Sequence, residues 1–266
     1  MLKKPGLFAA SLALAASIGG SAAALEVDEI VAKANATAYY QGDDGRAKVN
    51  MTITDSQGRE RARAFTILRK DKDVDATSGD QLFYVHFVKP ADVNKTSFLV
   101  WKHIGTDDDR WLYLPALDLV KRIAASDKRS SFVGSHFFYE DVSGRNPDLD
   151  SHELTEESDT YYVLTSTPKD AGSVEFASYK SWIHKTTFLA VKIEYQDKQG
   201  EVYRTYEALG VEMIDGHPTV TSSRMSDHKQ GGATSMTYED VRYDTGLADD
   251  IFSERYLRNP PRKLLR

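Results

Sequence analysis

The chain contains no cysteine. That one absence excludes thiol nucleophiles, cysteine-ligated metals, attached c-type haem, disulfide staples and a lipid anchor through sulfur. Long apolar runs are missing too: the longest falls short of the about 20 residues that a good membrane-spanning helix needs. Basic charge is in deficit, with 34 Lys and Arg against 40 Asp and Glu and a formal net charge of −6. The two signs are interspersed and no recognised nucleic-acid module is present, so no nucleic acid partner is expected. No glycine loop is placed to cradle phosphate, since Gly231-Gly232 stands in the context of a turn.

The apolar run that does occur, Leu7 to Ile18, follows Lys3 and Lys4 and leads to Ala22-Ala23-Ala24. A basic start, a short apolar centre and small residues at the end form the three-part pattern of a secretory signal. We read residues 1–24 as a signal peptide cut after Ala24, and residues 25–266 as a single β-rich domain exported to the periplasm. Loss of Lys3 and Lys4 takes the net charge from −6 to −8.

Val27 to Tyr40 predicts a helix, with Val27, Ile30, Val31, Ala34 and Ala38 at helical spacing. The period then changes to two. Ala47, Val49, Met51 and Ile53 alternate with Arg46, Lys48, Asn50 and Thr52, and Asp55-Ser56-Gln57-Gly58 turns the chain into a second strand, Arg61 to Arg69. Gln81 to Val88 is apolar on both faces, so that strand must be covered on both sides or line a cavity. Further strands are expected over Ser97 to Ile104, Arg110 to Leu114 and Leu117 to Ile123. Ser130 to Arg145 breaks the alternation and predicts a short helix or inserted loop, followed by a linker, Asn146 to Ser151.

The second half predicts strands at Tyr161 to Ser166, Glu175 to His184, Leu189 to Gln196, Val202 to Val211, Thr219 to Asp227 and Ser235 to Tyr243. Short turns between them imply an antiparallel meander. Leu247 to Tyr256 suggests a short closing helix, and Asn259 to Arg266 a frayed end. About a dozen strands with accessory helices fit a strongly curved sheet, partly closed as a barrel, with a two-sheet sandwich as the alternative.

Three stretches carry a family resemblance. Phe87-Val88-Lys89-Pro90-Ala91-Asp92-Val93 leads to Thr96-Ser97-Phe98-Leu99. Asp109-Arg110-Trp111-Leu112-Tyr113-Leu114-Pro115-Ala116-Leu117 follows. After Lys121-Arg122-Ile123 comes Ser131-Phe132-Val133-Gly134-Ser135-His136-Phe137-Phe138-Tyr139-Glu140-Asp141. In this order they resemble the outer-membrane lipoprotein-sorting proteins, a LolA-like group. The resemblance implies an incomplete antiparallel β-barrel whose apolar interior holds acyl chains, and partners such as a transporter of the resistance-nodulation-division type or another envelope protein. Two positions depart from the pattern: Lys95 stands where a glycine is expected, and His136 where an acidic residue is expected.

A carrier of this kind needs a dry concavity and a mouth that opens, not covalent chemistry. The candidate lipid-binding wall is Phe83, Phe87, Phe98, Leu99, Trp101, Trp111, Leu112, Leu114, Phe132, Phe137 and Phe138. Lys121 and Arg122 are candidates for a lipid headgroup or an acidic partner. Arg59, Arg61 and Arg63 suggest a basic strip on a surface face.

Catalysis has no matching pattern. The seven histidines show no metal-ligand spacing, so no metal and no cofactor are expected. Gly134-Ser135-His136 lacks the glycine spacing of a hydrolase elbow. The function expected is non-catalytic binding and transfer of a lipid, or of a lipoprotein through its acyl chains, with transient membrane contact. The alternative is an envelope adaptor or sensor that transfers no lipid.

Overall fold

The computed structural model describes residues 1 and 25–265, so the signal segment and its cleavage point lie outside the described residues. Helix α1, Val27–Tyr39, leads into thirteen strands. The first six are β1 Asp44–Asp55, β2 Glu60–Asp71, β3 Gln81–Lys89, β4 Ser97–Lys102, β5 Asp109–Leu114 and β6 Leu119–Ile123. A short helix, α2 at Tyr139–Ser143, separates them from β7 Asp150–Glu157, β8 Tyr161–Pro168, β9 Ser178–His184, β10 Ala190–Gln196, β11 Val202–Ile214, β12 His217–Asp227 and β13 Gly232–Tyr243. Helix α3, Glu254–Arg258, closes the chain.

All thirteen strands form one antiparallel sheet in the order β6-β5-β4-β3-β2-β1-β13-β12-β11-β10-β9-β8-β7. β13 returns beside β1, which joins two meanders into a single curved surface. The sheet is not closed: β6 and β7 are its edges, so this is a curved open sheet rather than a barrel, and the sandwich alternative falls because there is one sheet. Strand β7 was not expected from the sequence. Leu154 is its only large apolar residue among Asp, Glu, His, Ser and Thr, and it pairs along one side only, with β8. A charged edge strand shows little hydrophobic period and resists pairing with other chains.

Local chemistry explains the turns. The Asp55 carboxylate accepts the backbone N–H groups of Gln57 and Arg59 at 2.9 and 3.0 Å, and Gly58 takes φ +78°. Lys95 has φ +67°, a backbone region that glycine enters without steric cost, which accounts for the glycine expected there.

The two faces of β1–β5 bury separate cores. On the concave face, Val49, Met51, Phe65, Phe83, Val85, Phe87, Phe98, Val100 and Leu112 pack with Phe132, Phe137 and Tyr139 from the segment around α2. On the convex face, Leu68, Leu82, Tyr84, Leu99 and Trp111 pack under Leu247, Ile251, Phe252 and Leu257. The end of the chain continues this cover. Leu264 and Leu265 pack against the same core instead of fraying. The basic strip also dissolves: Arg63 is buried and reaches Asp92 at 3.6 Å, while Arg59 pairs with Asp55.

Across the other half of the sheet, α1 lies on the concave side, burying Ile30 against Leu164 and Ile183. Here the ladder between β12 and β13 stops at Ser222 and Thr237, although β12 begins at His217 and β13 runs to Tyr243. On the other side β10 pairs with β11 only up to Glu207. The tip of the β11–β12 hairpin is therefore held by side chains. Thr219 Oγ1 meets the Tyr243 hydroxyl at 2.8 Å, Gln41 Nε2 donates to the Pro218 carbonyl at 2.9 Å, and the His217 and Tyr243 rings lie 4.7 Å apart.

Candidate lipid-binding cavity

Between α1 and the concave face lies a cavity of about 480 Å³. Val31 and Ala34 of α1 form its roof. Leu164, Ile183, Leu189 and Ile193 line one side, and Phe65, Ile67, Phe83 and Val85 the other, with Phe132 and Phe137 between. Met225, Met236, Tyr206 and Tyr238 complete the floor. The period of two puts these side chains on one face. The standoff of α1 leaves the space, because its inward residues Ala34 and Ala38 are too small to fill it.

The cavity has a polar region where it meets the segment around α2. Tyr39, Tyr179, Tyr195, Arg129, Asp141 and Arg145 border it. Tyr39 fits there because Gly144, at φ +77°, has no side chain, and a methyl group at that position would collide with the ring. The charges nearby pair with one another, although Arg145 Nη1 and Arg204 Nε and Nη1 are buried without a hydrogen-bond partner. Arg129 reaches Glu140 at 3.0 Å and Glu175 at 2.6 Å, Arg145 reaches Asp150 at 2.9 Å, and Arg204 pairs with Asp141. Lys128 adds a fourth cation, 3.8 Å from Glu140. Phe138 is clamped in this network, with the guanidinium carbons of Arg204 and Arg129 at 4.0 and 4.8 Å from its ring centroid. Paired charges with stacked guanidinium groups pin the inserted segment to β9–β11.

Burial pushes the phenols of Tyr39, Tyr206 and Tyr238 above their usual value and that of Tyr195 up to about 12, so all four keep their protons at neutral pH. Tyr179 donates to Asp150 at 2.9 Å and Tyr238 to the Met236 sulfur at 3.5 Å. The hydroxyls of Tyr39 and Tyr195 make no hydrogen bond among the described residues. A second, polar cleft of about 690 Å³ lies behind Phe138, bordered by Arg61, His136, Glu175, Asp197, Asp227 and Lys229. His136 Nδ1 sits 2.8 Å from Thr234 Oγ1, so this position makes a contact to β13.

The structure distributes the candidate residues over several environments. Phe83, Phe132 and Phe137 line the cavity. Phe87, Phe98 and Leu112 are in the solid concave core, with Leu114 packed against it. Leu99 and Trp111 face the other way, in the convex core, and Trp101 joins them by donating its indole N–H to the Phe252 carbonyl at 2.8 Å. Phe138 borders the second, polar cleft and does not line the apolar cavity. Lys121 and Arg122 are exposed on edge strand β6, and Arg122 pairs with Asp109. The sequence reading missed most of the wall, namely the residues of α1 and of β8–β13. The signal available was the alternation Tyr179-Ser181-Ile183, Ile193-Tyr195 and Met236-Tyr238.

A family model described as "uncharacterized protein" matches residues 79–259. Among solved structures, a DUF1329 family protein from Desulfovibrio piger is 30% identical, with a TM-score of 0.78 over 86% of this chain and 97% of that one. The chain belongs to the DUF1329 family. This DUF1329 chain is also similar to a domain from Vibrio parahaemolyticus assigned to outer-membrane lipoprotein sorting, at 27% identity and a TM-score of 0.76, over 87% of this chain and 98% of that one. A LolA superfamily protein from Nitrosomonas europaea shares the fold, with 21% identity and a TM-score of 0.67 over 88% and 100% of the two chains. The DUF1329 fold seen here is therefore LolA-like. No curated protein matches.

Proposed function

We propose that the protein is a non-catalytic periplasmic carrier that holds the acyl chains of a lipid or lipoprotein beneath α1. The observation carrying this reading is the apolar cavity between α1 and the concave face, whose volume lies within the range of about 300–1,000 Å³ usual for small-molecule sites. Each methylene moved there from water contributes about 0.8 kcal/mol, enough to hold a chain without covalent attachment. The similarity to the Vibrio sorting domain supports the same reading. Phe83, Phe132 and Phe137 are then the parts of the wall contributed by the first half of the sheet and the inserted segment. Cargo would pass between envelope proteins, with a resistance-nodulation-division type transporter among the partners that the family resemblance implies.

Native mass spectrometry of protein purified from an envelope extract tests this directly. A retained amphiphile is expected. Ala34→Trp, which fills the space under α1, should abolish retention while leaving unfolding nearly unchanged. Protein that holds no amphiphile, and takes up none when it is added, would overturn the carrier reading.

A further inference from the structure

The charges around the cavity constrain what kind of amphiphile fits, an inference that rests on the carrier reading above. We propose that the cavity selects an amphiphile with an anionic headgroup, a carboxylate or a phosphate ester. The headgroup sits at the α2 end, against Arg129 and Arg145, and the hydrocarbon runs under α1.

Three observations converge. First, the chain as a whole is acidic, yet the charges bordering the cavity are mostly cationic. Arg46, Arg69, Arg129, Arg145 and Arg242 border it, and Asp141 is the one carboxylate that does so among the described residues. Each of these arginines has a carboxylate partner, but Asp71, Asp150, Asp240, Glu140 and Glu175 stand back from the cavity. Such pairing sets cations inside and anions outside. The space between apolar walls therefore lies in a positive potential, which concentrates anions. Second, the pairing is incomplete at the α2 end. Lys102 is buried behind Tyr39, with Nζ 5.1 Å from the ring centroid, and donates to the Ser143 carbonyl at 2.9 Å. It has no ion-pair partner among the described residues, because the Asp108 carboxylate is taken by Arg110 at 2.5 Å. Arg145 Nη1 lies 3.5 Å from Glu140 without making a hydrogen bond, and Arg204, 5.2 Å from the Tyr195 ring centroid, has Nε and Nη1 unpartnered. Buried cationic donors left short of acceptors are costly, and an anion brought beside them offsets that cost where a neutral or cationic headgroup does not. Third, the two guanidinium groups are rigidly set. Arg129 and Arg145 both reach Glu140, at 3.0 and 3.5 Å, and both lie against the buried Phe176 ring, at 5.2 and 5.5 Å from its centroid. Fixed planar donors suit the several oxygens of a carboxylate or phosphate.

The probes are dodecanoate, dodecyl phosphate, dodecanol, dodecyltrimethylammonium and inorganic phosphate, each titrated into the intact protein at low salt and at a pH where dodecanoate is ionised. The two anionic amphiphiles are expected to bind at least about tenfold more tightly than dodecanol, with dodecyltrimethylammonium weakest. Inorganic phosphate should not displace dodecyl phosphate. Arg145→Gln combined with Asp150→Asn removes one inner cation together with its outer partner, and should abolish most of the preference for dodecanoate over dodecanol. The series on the unaltered protein decides the matter even where that variant fails to fold. Dodecanol or dodecyltrimethylammonium binding as tightly as dodecanoate, or a folded double variant whose preference is intact, overturns this inference while the carrier reading stands. Inorganic phosphate that competes as well as dodecyl phosphate marks a simple anion site and overturns it too. If none of the four amphiphiles binds, the carrier reading fails and this inference fails with it.

Discussion

The two halves of the sheet are built alike and finished differently. In β1–β6 aromatic residues from the segment around α2 fill most of the concave side, with Phe65, Ile67, Phe83 and Val85 left at the edge of the cavity, and the C-terminal segment covers the convex side. In β7–β13 the concave side faces α1 across an open space, and the convex side is largely unclad. An antiparallel sheet does not decide whether its concavity is solid or hollow. The inserted elements decide it, through side-chain size: Phe132, Phe137 and Tyr139 on one side of the molecule, Ala34 and Ala38 on the other.

This contrast breaks most sharply with large-to-small substitutions. Phe98 touches Phe132 and Tyr139 with ring centroids at 5.5 and 5.1 Å and is fully buried. Phe98→Ala should cost about 3–5 kcal/mol in denaturant unfolding, the size expected for a packed core site. A loss well below 2 kcal/mol, on the same scale, would mean that this half is hollow too. Leu257, with no exposed surface, closes the convex core. Leu257→Ala should cost about 2–4 kcal/mol, and an unaffected midpoint would show that the C-terminal cover is dispensable.

Acid sharpens the comparison, because the filled half buries a histidine. Burial lowers the pKa of His86 to about 4, and its Nδ1 lies 2.8 Å from Ser97 Oγ. Below about pH 6.5 the unfolded chain takes up a proton that the folded chain refuses, so stability falls with pH through that window until about pH 4. The contribution lost is up to about 3 kcal/mol. Asp71, whose carboxyl burial pushes up to about 6, acts in the opposite sense over part of the same range. The quantity to measure is therefore the difference between wild type and His86→Gln, which should narrow steadily from pH 7 to pH 4. The smallest effect belongs to the hollow half. Ile193→Ala enlarges a space that already exists and should cost under about 1.5 kcal/mol while weakening retention of an added amphiphile. A cost equal to that of Phe98→Ala would erase the distinction between the halves.

Much of this architecture was legible in the chain. Helix α1, the β1–β2 hairpin and the doubly apolar β3 follow from period and turn chemistry, because those residues are buried on predictable faces. What escaped has a physical reason in each case. Strand β7 is held by backbone pairing at an edge, so its acidic side chains hid it. Arg63 is buried through a partner, Asp92, supplied by a distant loop. Leu264 and Leu265 look like a loose end until the convex surface that receives them is known. The candidate wall was drawn from the aromatic first half because its motifs stood out there. Aromatic residues in alternating strands mark enclosure, but whether they meet one another or an empty volume depends on what is inserted opposite.

The early end of the β12–β13 ladder has a mechanical consequence. Where strands are zipped, prising them apart forfeits backbone hydrogen bonds in series. Where the zip ends, the tip of the β11–β12 hairpin is held by the Thr219–Tyr243 and Gln41–Pro218 bonds, by the Asp215 carboxylate accepting the Tyr243 backbone N–H at 3.4 Å, and by one ring contact. Thr219, Val220, Val241 and Tyr243 on the two sides of that seam also border the cavity. This seam thus adjoins the empty interior of the sheet, and its stiffness is set by a few side chains rather than by the backbone.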